Sequence, residues 1–419
     1  MNAHPVTSHL SIGPSPDSHA DARTDAPAHA HAAGPRLLIS RAALLHNVRV
    51  LRSRLAPGVG LCAVVKAQAY GHGQDLVVET LSRFAVSPGG PRAADAFAVA
   101  TLDEAAALNT SLPVLVFRPV EHVLIGRHRE QLAEAVRRGW SLNLTTRTAA
   151  DDLDRLAESL AQSLARRATV HVMVDTGMTR DGCSLADLPG LLEHILSKPA
   201  LKLASLATHF TDGEEADARY SLEQTARFRA ATDAVAKAHN VRRHAANTGG
   251  TLNCPAAHFD FVRPGIGLYG IHPAGRPDEA TPLRPAMTWL APLVHIHDVA
   301  PGQSAGYNRT WTAARQSRIG VVPVGYADGY DRRLSNAGVV IVRGKPCPVV
   351  GRVSMDLITI NLTDCPEASI TDTVTLLDND PASPAGVYAM AKACDTIPYE
   401  ITTRLGQRAP RVAWEPAEA

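Results

Sequence analysis

The chain has 419 residues, 45% hydrophobic and 20% charged, which is more than one hydrophobic core organises and excludes a disordered or fibrous protein. Its 42 Lys plus Arg against 41 Asp plus Glu leave no net field to attract nucleic acid or an anionic membrane. Six cysteines, at positions 62, 183, 254, 347, 365 and 394, form no C-x-x-C pair and no metal-ligand spacing, so a reducing compartment, the cytoplasm, is expected and no metal is.

Residues 1–34 lack the apolar core of a signal peptide and the length of a membrane span, and read as a disordered tail. His4, His9, His19, His29 and His31 in it are not ordered into a metal site. From Leu61 onward, apolar runs alternate with helical stretches. Eight strands are predicted: Leu61–Lys66, Ala96–Thr101, Pro113–Phe117, Ser141–Thr145, Thr169–Asp175, Leu203–Thr208, Arg243–Asn247 and Phe259–Arg263. Segments such as Asp103–Asn109, Arg127–Arg138 and Ala150–Arg167 carry helical spacing between them, and Ser87–Asp95, rich in Pro and Gly, reads as an exposed loop. Eight such units imply an α/β fold, a (β/α)8 TIM-type barrel over residues 44–283, with ligands at the carboxyl ends of its strands. After about Pro282 the pattern changes to strands with almost no helix, a mainly β C-terminal domain over 284–419. Its predicted strands are Leu290–Val299, Ser317–Val324, Val339–Val342, Pro348–Val353, Leu357–Leu362 and Thr373–Leu377, with turns at Pro301-Gly302, Asn336-Ala337-Gly338 and Arg343-Gly344-Lys345.

The chain spends only six lysines against thirty-six arginines, so a lysine marks a place where a plain positive charge does not suffice. Lys66 closes an apolar strand, where burial favours the neutral amine needed for a Schiff base or for proton abstraction. An isolated lysine at a strand end is more often a snorkelling charge. The residues that follow weigh against that: Tyr70 offers a hydroxyl, and Gly71 and Gly73 permit the close backbone approach that an anion near the lysine requires.

The segment Leu61–Gly73 resembles the pyridoxal-phosphate attachment motif of the alanine racemase family, fold-type III enzymes in which the lysine holds the cofactor as an aldimine. Gln68 stands where the family usually has Asn. The resemblance runs from about Arg36 to Val412, and implies that residues 35–43 form a strand joining the β domain. It assigns Arg180, in Val174–Arg180, to the cofactor's phenolic oxygen and the substrate carboxylate, a role suited to a fork of N–H donors. Many relatives brace this arginine with a carbamylated lysine where this chain has Met173. His209 would pack on the pyridine ring; Thr248 would donate to the phosphate, His244 would support Arg263, and Asn247 would serve a packing or supporting role. Arg263 would face the pyridine nitrogen, and Gly265 and Ile266 would offer backbone N–H groups to the phosphate. An arginine keeps its proton, so the ring nitrogen stays unprotonated and the cofactor becomes a weaker electron sink, which suits racemisation.

Racemisation needs a base on each face of a planar carbanion. The resemblance supplies the second as Tyr307, in Gly306–Trp311, reaching into the partner subunit's site, with Lys66 acting on D-alanine and Tyr307 on L-alanine. A phenol's ordinary pKa, near 10, is high for such a base, and an arginine-backed His209 is a means of lowering it. Tyr326 would line the pocket, the Met355 N–H would bind the substrate carboxylate beside Asp356, and Tyr399 would lie near the phosphate. The implied protein is a homodimer with shared sites that interconverts L- and D-alanine and supplies D-alanine for peptidoglycan. Asn308-Arg309-Thr310 resembles broad-specificity relatives, so a racemase of larger or basic amino acids is the alternative. A decarboxylase on the same barrel would place an acid at the ring nitrogen, against Arg263; a non-catalytic cofactor carrier would not need Tyr307.

Overall fold

The computed structural model describes residues 34–85, 90–121, 129–161, 166–215, 217–370 and 372–415. The predicted tail lies almost wholly outside these, as do the first residues of the Ser87–Asp95 loop and of the Arg127–Arg138 helix, and residues 162–165 of the predicted Ala150–Arg167 helix. Nineteen strands are numbered here in chain order.

The barrel is built from β2 (Gly60–Val64), β3 (Ala96–Val99), β4 (Val114–Pro119), β5 (Ser141–Leu144), β6 (Ala168–Met173), β7 (Leu201–Ala207), β8 (Arg242–His244) and β9 (Phe261–Val262). They pair in parallel in the order β8-β7-β6-β5-β4-β3-β2-β9. Parallel neighbours need a long crossover, and helices such as Gln74–Arg83 and Arg219–His239 provide it. Strands covered on both faces read as unbroken apolar runs: Leu61, Cys62, Ala63 and Val64 are all buried. Between β8 and β9 the barrel closes through two backbone bonds, Asp260 N–H to Arg243 O (3.0 Å) and Arg263 N–H to Ala246 O (2.8 Å).

β1 (Arg36–Ser40) belongs to a different sheet, pairing antiparallel with β10 (Met287–Pro292) and parallel with β19 (Arg411–Trp414). Ser40 then caps the helix Arg41–Arg52, its Oγ accepting from Ala43 N–H at 3.1 Å. Ala43, Leu44, Val48 and Leu51 recur at helical spacing and are buried. The six-stranded sheet is completed by β15 (Val339–Val342), β16 (Lys345–Pro348) and β18 (Thr373–Leu377), in the order β16-β15-β18-β10-β1-β19. β11 (His295–Val299), β14 (Ser317–Val322) and β17 (Ile358–Asn361) form a second, three-stranded sheet. A short hairpin, β12 (Ser304–Ala305) with β13 (Trp311–Thr312), projects from it.

Four expectations are corrected. Leu290–Val299 is two strands in two sheets, because Leu293 N–H bonds Asp372 O and Val294 N–H bonds Val321 O as the chain crosses over. Pro348–Val353 is no strand beyond Pro348: Gly351 adopts φ 75° and its N–H is taken by the Asn336 side chain. The C-terminal region also holds two helices, Val387–Ala393 and Pro398–Thr403. In the Ser87–Asp95 loop, Ala93 and Ala94 are fully buried.

At the junction, Asn47 fastens the end of the barrel to the start of the β region. Its side chain donates to Leu268 O (3.1 Å) and Arg284 O (2.9 Å) and accepts from Arg284 N–H (2.8 Å). Gly270 sits against this clasp at φ 83°, and a Cβ there would lie 1.7 Å from Arg284 O. Gly270→Ala therefore combines a disfavoured φ with a backbone clash and should cost roughly 3 kcal/mol, read as a lower urea midpoint. An unchanged midpoint would show that the junction yields freely.

Candidate active site

The residues singled out from the sequence gather at the carboxyl ends of the barrel strands. Lys66 opens the turn after β2; Arg180, His209, Thr248 and Arg263 follow β6, β7, β8 and β9. An open hollow of about 620 Å³ lies at the other end, lined by Pro113, Trp140, Thr169 and Lys202 among others, with no acid, histidine or phenol in its wall. The chemistry is at the carboxyl end.

Lys66 is followed by a backbone run of unusual hand. Ala67, Gln68, Ala69 and Tyr70 have φ of 51°, 54°, 55° and 54°, each disfavoured for an L-residue by roughly 1–2 kcal/mol. Bonds from Ala69 N–H to Val65 O (2.9 Å), Gly71 N–H to Ala67 O (3.0 Å) and Gly73 N–H to Gln68 O (2.9 Å) hold the turn from within. From outside, Arg411 Nε donates to Gly71 O (3.0 Å) and a Glu104 oxygen accepts from Ala67 N–H (2.8 Å). The two glycines do not open space for an anion, as the sequence suggested. A Cβ on Gly71 would meet Thr402 O at 2.0 Å and one on Gly73 would meet the Arg411 side chain at 3.2 Å, so their bareness lets the β region close on the turn.

The Lys66 amine is held below its ordinary pKa, first by burial and then by the Arg180 charge; Glu104 and Asp181 pull the other way. Burial, with Arg263, Arg180 and Lys66, pushes His209 down to about 3, so its imidazole is neutral. Although part of the ring reaches the surface of the single chain, the cations around it act in the same direction as burial. Arg263 is buried and pushed down by desolvation to about 10, still protonated at neutral pH. Its guanidinium donates to His244 Nδ1, Thr208 O (2.7 Å) and Ala245 O (3.1 Å). It reaches His209 by charge rather than by a hydrogen bond, so the arginine-backed histidine is His244. With Nδ1 accepting, the His244 proton lies on Nε2, 3.1 Å from Ser205 Oγ.

Beside these groups, Thr248 Oγ1 accepts from Gly265 N–H (3.0 Å) and Gly267 N–H (3.2 Å). A Cβ on Gly265 would lie 2.4 Å from Tyr70 Oη, so only glycine lets the turn and the phenol meet. The Tyr399 ring lies 6.2 Å from that of Tyr70. Asn247 caps the helix Thr248–Asn253 through its side-chain oxygen on Gly250 N–H (2.9 Å). Met173, buried in β6, gives its N–H to Asn143 Oδ1, and Arg180 rests on Asp181 at 3.3 Å.

A second group stands apart. Tyr307 is 69% exposed on the tip of the β12–β13 hairpin, Tyr326 44% and Met355 51%, and Asp356 pairs with Arg408 at 2.6 Å. Among the described residues, no hydrogen bond or ion pair joins these four to Lys66, Arg180, His209 or Arg263. The sequence reading passed over Glu104, Ser205 and Arg411. Glu104 was legible as the fourth residue of a T-x-x-E cap beginning at Thr101; the others carry no local signal.

The family model for the alanine racemase N-terminal domain matches residues 39–273, and that for the alanine racemase C-terminal domain matches 286–413. The alanine racemase of Syntrophobacter fumaroxidans is 40% identical over 373 residues, 88% of this chain and 94% of that protein. That of Desulfovibrio desulfuricans is 36% identical over 380 residues, 89% of this chain and 96% of its own. Among solved structures, alanine racemase from Streptomyces coelicolor superposes with a TM-score of 0.78 at 33% identity, covering 91% of this chain and 98% of that one. The Bartonella henselae alanine racemase with covalently bound pyridoxal phosphate gives 0.76 at 28% identity, covering 91% of this chain and all of that one (100%). A barrel with Lys66, Arg180, His209 and Arg263 at its mouth, joined to a β region, defines the class, and the chain belongs to the alanine racemase family.

Proposed function

We propose that this protein interconverts L- and D-alanine with pyridoxal phosphate, one base acting on each face of Cα. The observation that carries the reading is the partly buried Lys66 amine, held toward its neutral form by burial and by the Arg180 charge, next to a donor set that fits a phosphate. That set comprises the Thr248 hydroxyl, whose oxygen takes the Gly265 and Gly267 N–H groups and leaves its own proton to donate, the Ile266 N–H and the Tyr70 phenol, packed so closely that a side chain at Gly265 or Gly267 would collide with it. Ile266 lies within this turn and Tyr399 flanks it.

When bound, pyridoxal phosphate supplies an aldehyde that captures amines and a ring that spreads the charge left on Cα. Lys66 would hold it, and His209, neutral at working pH, would pack on its ring. Arg263 would face the ring nitrogen, and by keeping its own proton would leave that nitrogen unprotonated. Arg180 and the Met355 N–H would fix the substrate carboxylate, with Tyr326 narrowing the pocket. Lys66 Nζ would move the proton on the D face, and Tyr307 of the partner subunit the proton on the L face. The exposed Tyr307, Tyr326 and Met355, clear of Lys66 in their own chain, support a homodimer with shared sites. Six unpaired cysteines support a reducing cytoplasm, where D-alanine would serve peptidoglycan synthesis. No described helix is long and apolar enough to cross a membrane.

Incubated with L-alanine and pyridoxal phosphate in heavy water, the protein should release D-alanine carrying deuterium at Cα; carbon dioxide release instead would indicate a decarboxylase. A panel of larger and basic L-amino acids tests the breadth suggested by Asn308-Arg309-Thr310. Lys66→Ala and Tyr307→Phe proteins, each nearly inactive alone, should regain up to a quarter of wild-type activity when their subunits are exchanged. No recovery after verified exchange would refute the shared site.

A further inference from the structure

Glu104 makes more bonds than its place in the chain requires. As the last residue of the cap Thr101–Glu104 it needs only to bond Thr101 N–H, which it does at 3.2 Å, while its own N–H goes to Thr101 Oγ1 at 3.1 Å. The same oxygen also accepts from Ala100 N–H at 2.7 Å, at the end of β3. The other oxygen leaves the cap altogether and accepts from Ala67 N–H at 2.8 Å, the first peptide after Lys66 and the first left-handed residue of its turn. The Glu104 carbonyl is itself held by Gln74 Nε2 at 3.0 Å, from the helix that follows the turn. One carboxylate thus ties the Lys66 peptide to the next strand of the barrel.

We propose that Glu104 is a positioning residue for Lys66, clasping the left-handed turn at Ala67 N–H so that the amine stays aimed into the barrel mouth. The inference rests on the reading of Lys66 as the residue that holds the cofactor. The segment Lys66-Ala67-Gln68-Ala69-Tyr70 is made of good helix formers, and the right-handed conformation competes with the observed one at every step. Releasing Ala67 N–H lets the chain relax toward that alternative, and Lys66, at the start of the run, swings with it. Glu104 also acts on the amine as a charge. Four groups bear on Lys66: Arg180 disfavours its charged form, Glu104 and Asp181 favour it, and neutral His209 adds no charge. The clasp and the charge are separable by substitution.

The test is the rate at which pyridoxal phosphate marks Lys66 in the full-length protein. The amine nitrogen bonds the aldehyde carbon, the aldehyde oxygen leaves as water, and hydride from borohydride then fixes the carbon–nitrogen bond for mass analysis. Rates are measured over a pH series that extends well below the ordinary lysine value. Glu104→Gln should lower the high-pH plateau about tenfold and move the midpoint to lower pH, since a charge favouring the ammonium is gone. Glu104→Asp keeps the charge but is one methylene too short to span Ala67 and Ala100, so its plateau should fall with the midpoint unmoved. Thr101→Ala removes the cap's other arm and should change neither. Wild-type plateaus in both Glu104 variants, or the same loss in Thr101→Ala, would overturn the proposal, since helix capping alone would then account for Glu104. No mark on Lys66 in the unsubstituted protein would remove the reading beneath it, and the inference with it.

Discussion

A Tyr307→Phe protein should fold normally, bind pyridoxal phosphate and racemise alanine about 10³-fold more slowly, within the range that one positioned acid or base supplies. The fold should be indifferent because the phenol is 69% exposed and its hydroxyl has no hydrogen bond within the described residues of its own chain. The hairpin that carries it is shaped by its backbone, with Gly306 at φ 75° and Asn308 at φ 58°. What remains is an enzyme with one working face. D-Alanine should still exchange its α-proton for deuterium through Lys66, while L-alanine exchanges and inverts about 10³-fold more slowly. That asymmetry separates a missing base from a damaged pocket, which would slow both isomers alike. Undiminished racemisation would mean that some other group serves the L face.

The second large effect is on stability in mild acid. His72, His171 and His244 are all buried, and burial is the first cause of each being held neutral: His72 down to about 4, His171 to about 3, and His244 well below its ordinary value. In the unfolded chain each binds a proton near 6.5, so below that pH the unfolded state takes up protons that the folded state refuses. The stability is complete above about 6.5 and is lost as pH falls toward 3 to 4. At pH 5 each site contributes about 2 kcal/mol of that loss, about 6 kcal/mol for the three, comparable with the whole stability of many domains. The carboxylates held low by their arginine or lysine partners, such as Asp331 and Glu367, act only below about 4 and leave this window clear. Denaturant titrations at pH 7.5 and 5.0 should differ by several kcal/mol. His171→Gln should shrink the difference by about 2 kcal/mol, whatever it does to stability at pH 7.5. Equal stabilities at the two values would show that these imidazoles accept protons in place.

The barrel was legible because its strands are buried on both sides and therefore spell apolar runs, as Leu61–Val64 does. The site was legible where a residue type is chemically irreplaceable, such as a lysine in a chain that otherwise prefers arginine. What could not be read locally was decided by distant partners. Lys66–Tyr70 spells a right-handed helix, yet Glu104 and Arg411, from 37 and 340 residues away in sequence, accompany the opposite hand. The division of Leu290–Val299 between two sheets depends on Asp372 and Val321, which no window of sequence around Leu293 contains. Gly71 and Gly73 illustrate a further limit: a bare backbone signals that something approaches closely, and here it is Thr402 and Arg411 rather than an anion.

The place of β1 has a consequence for the order of assembly on the ribosome. Its two neighbours, β10 and β19, are made after the barrel and at the end of the described chain respectively, and Leu37 sits opposite Arg411. A nascent chain can wind its eight barrel units while β1 waits with both edges unpaired. Arg411, beyond its register with Leu37, is also the residue that reaches Gly71 at the end of the turn after Lys66. Synthesis of β19 and completion of the lysine's setting are thus coupled, and a polypeptide lacking β19 would carry a barrel whose mouth has not yet been locked.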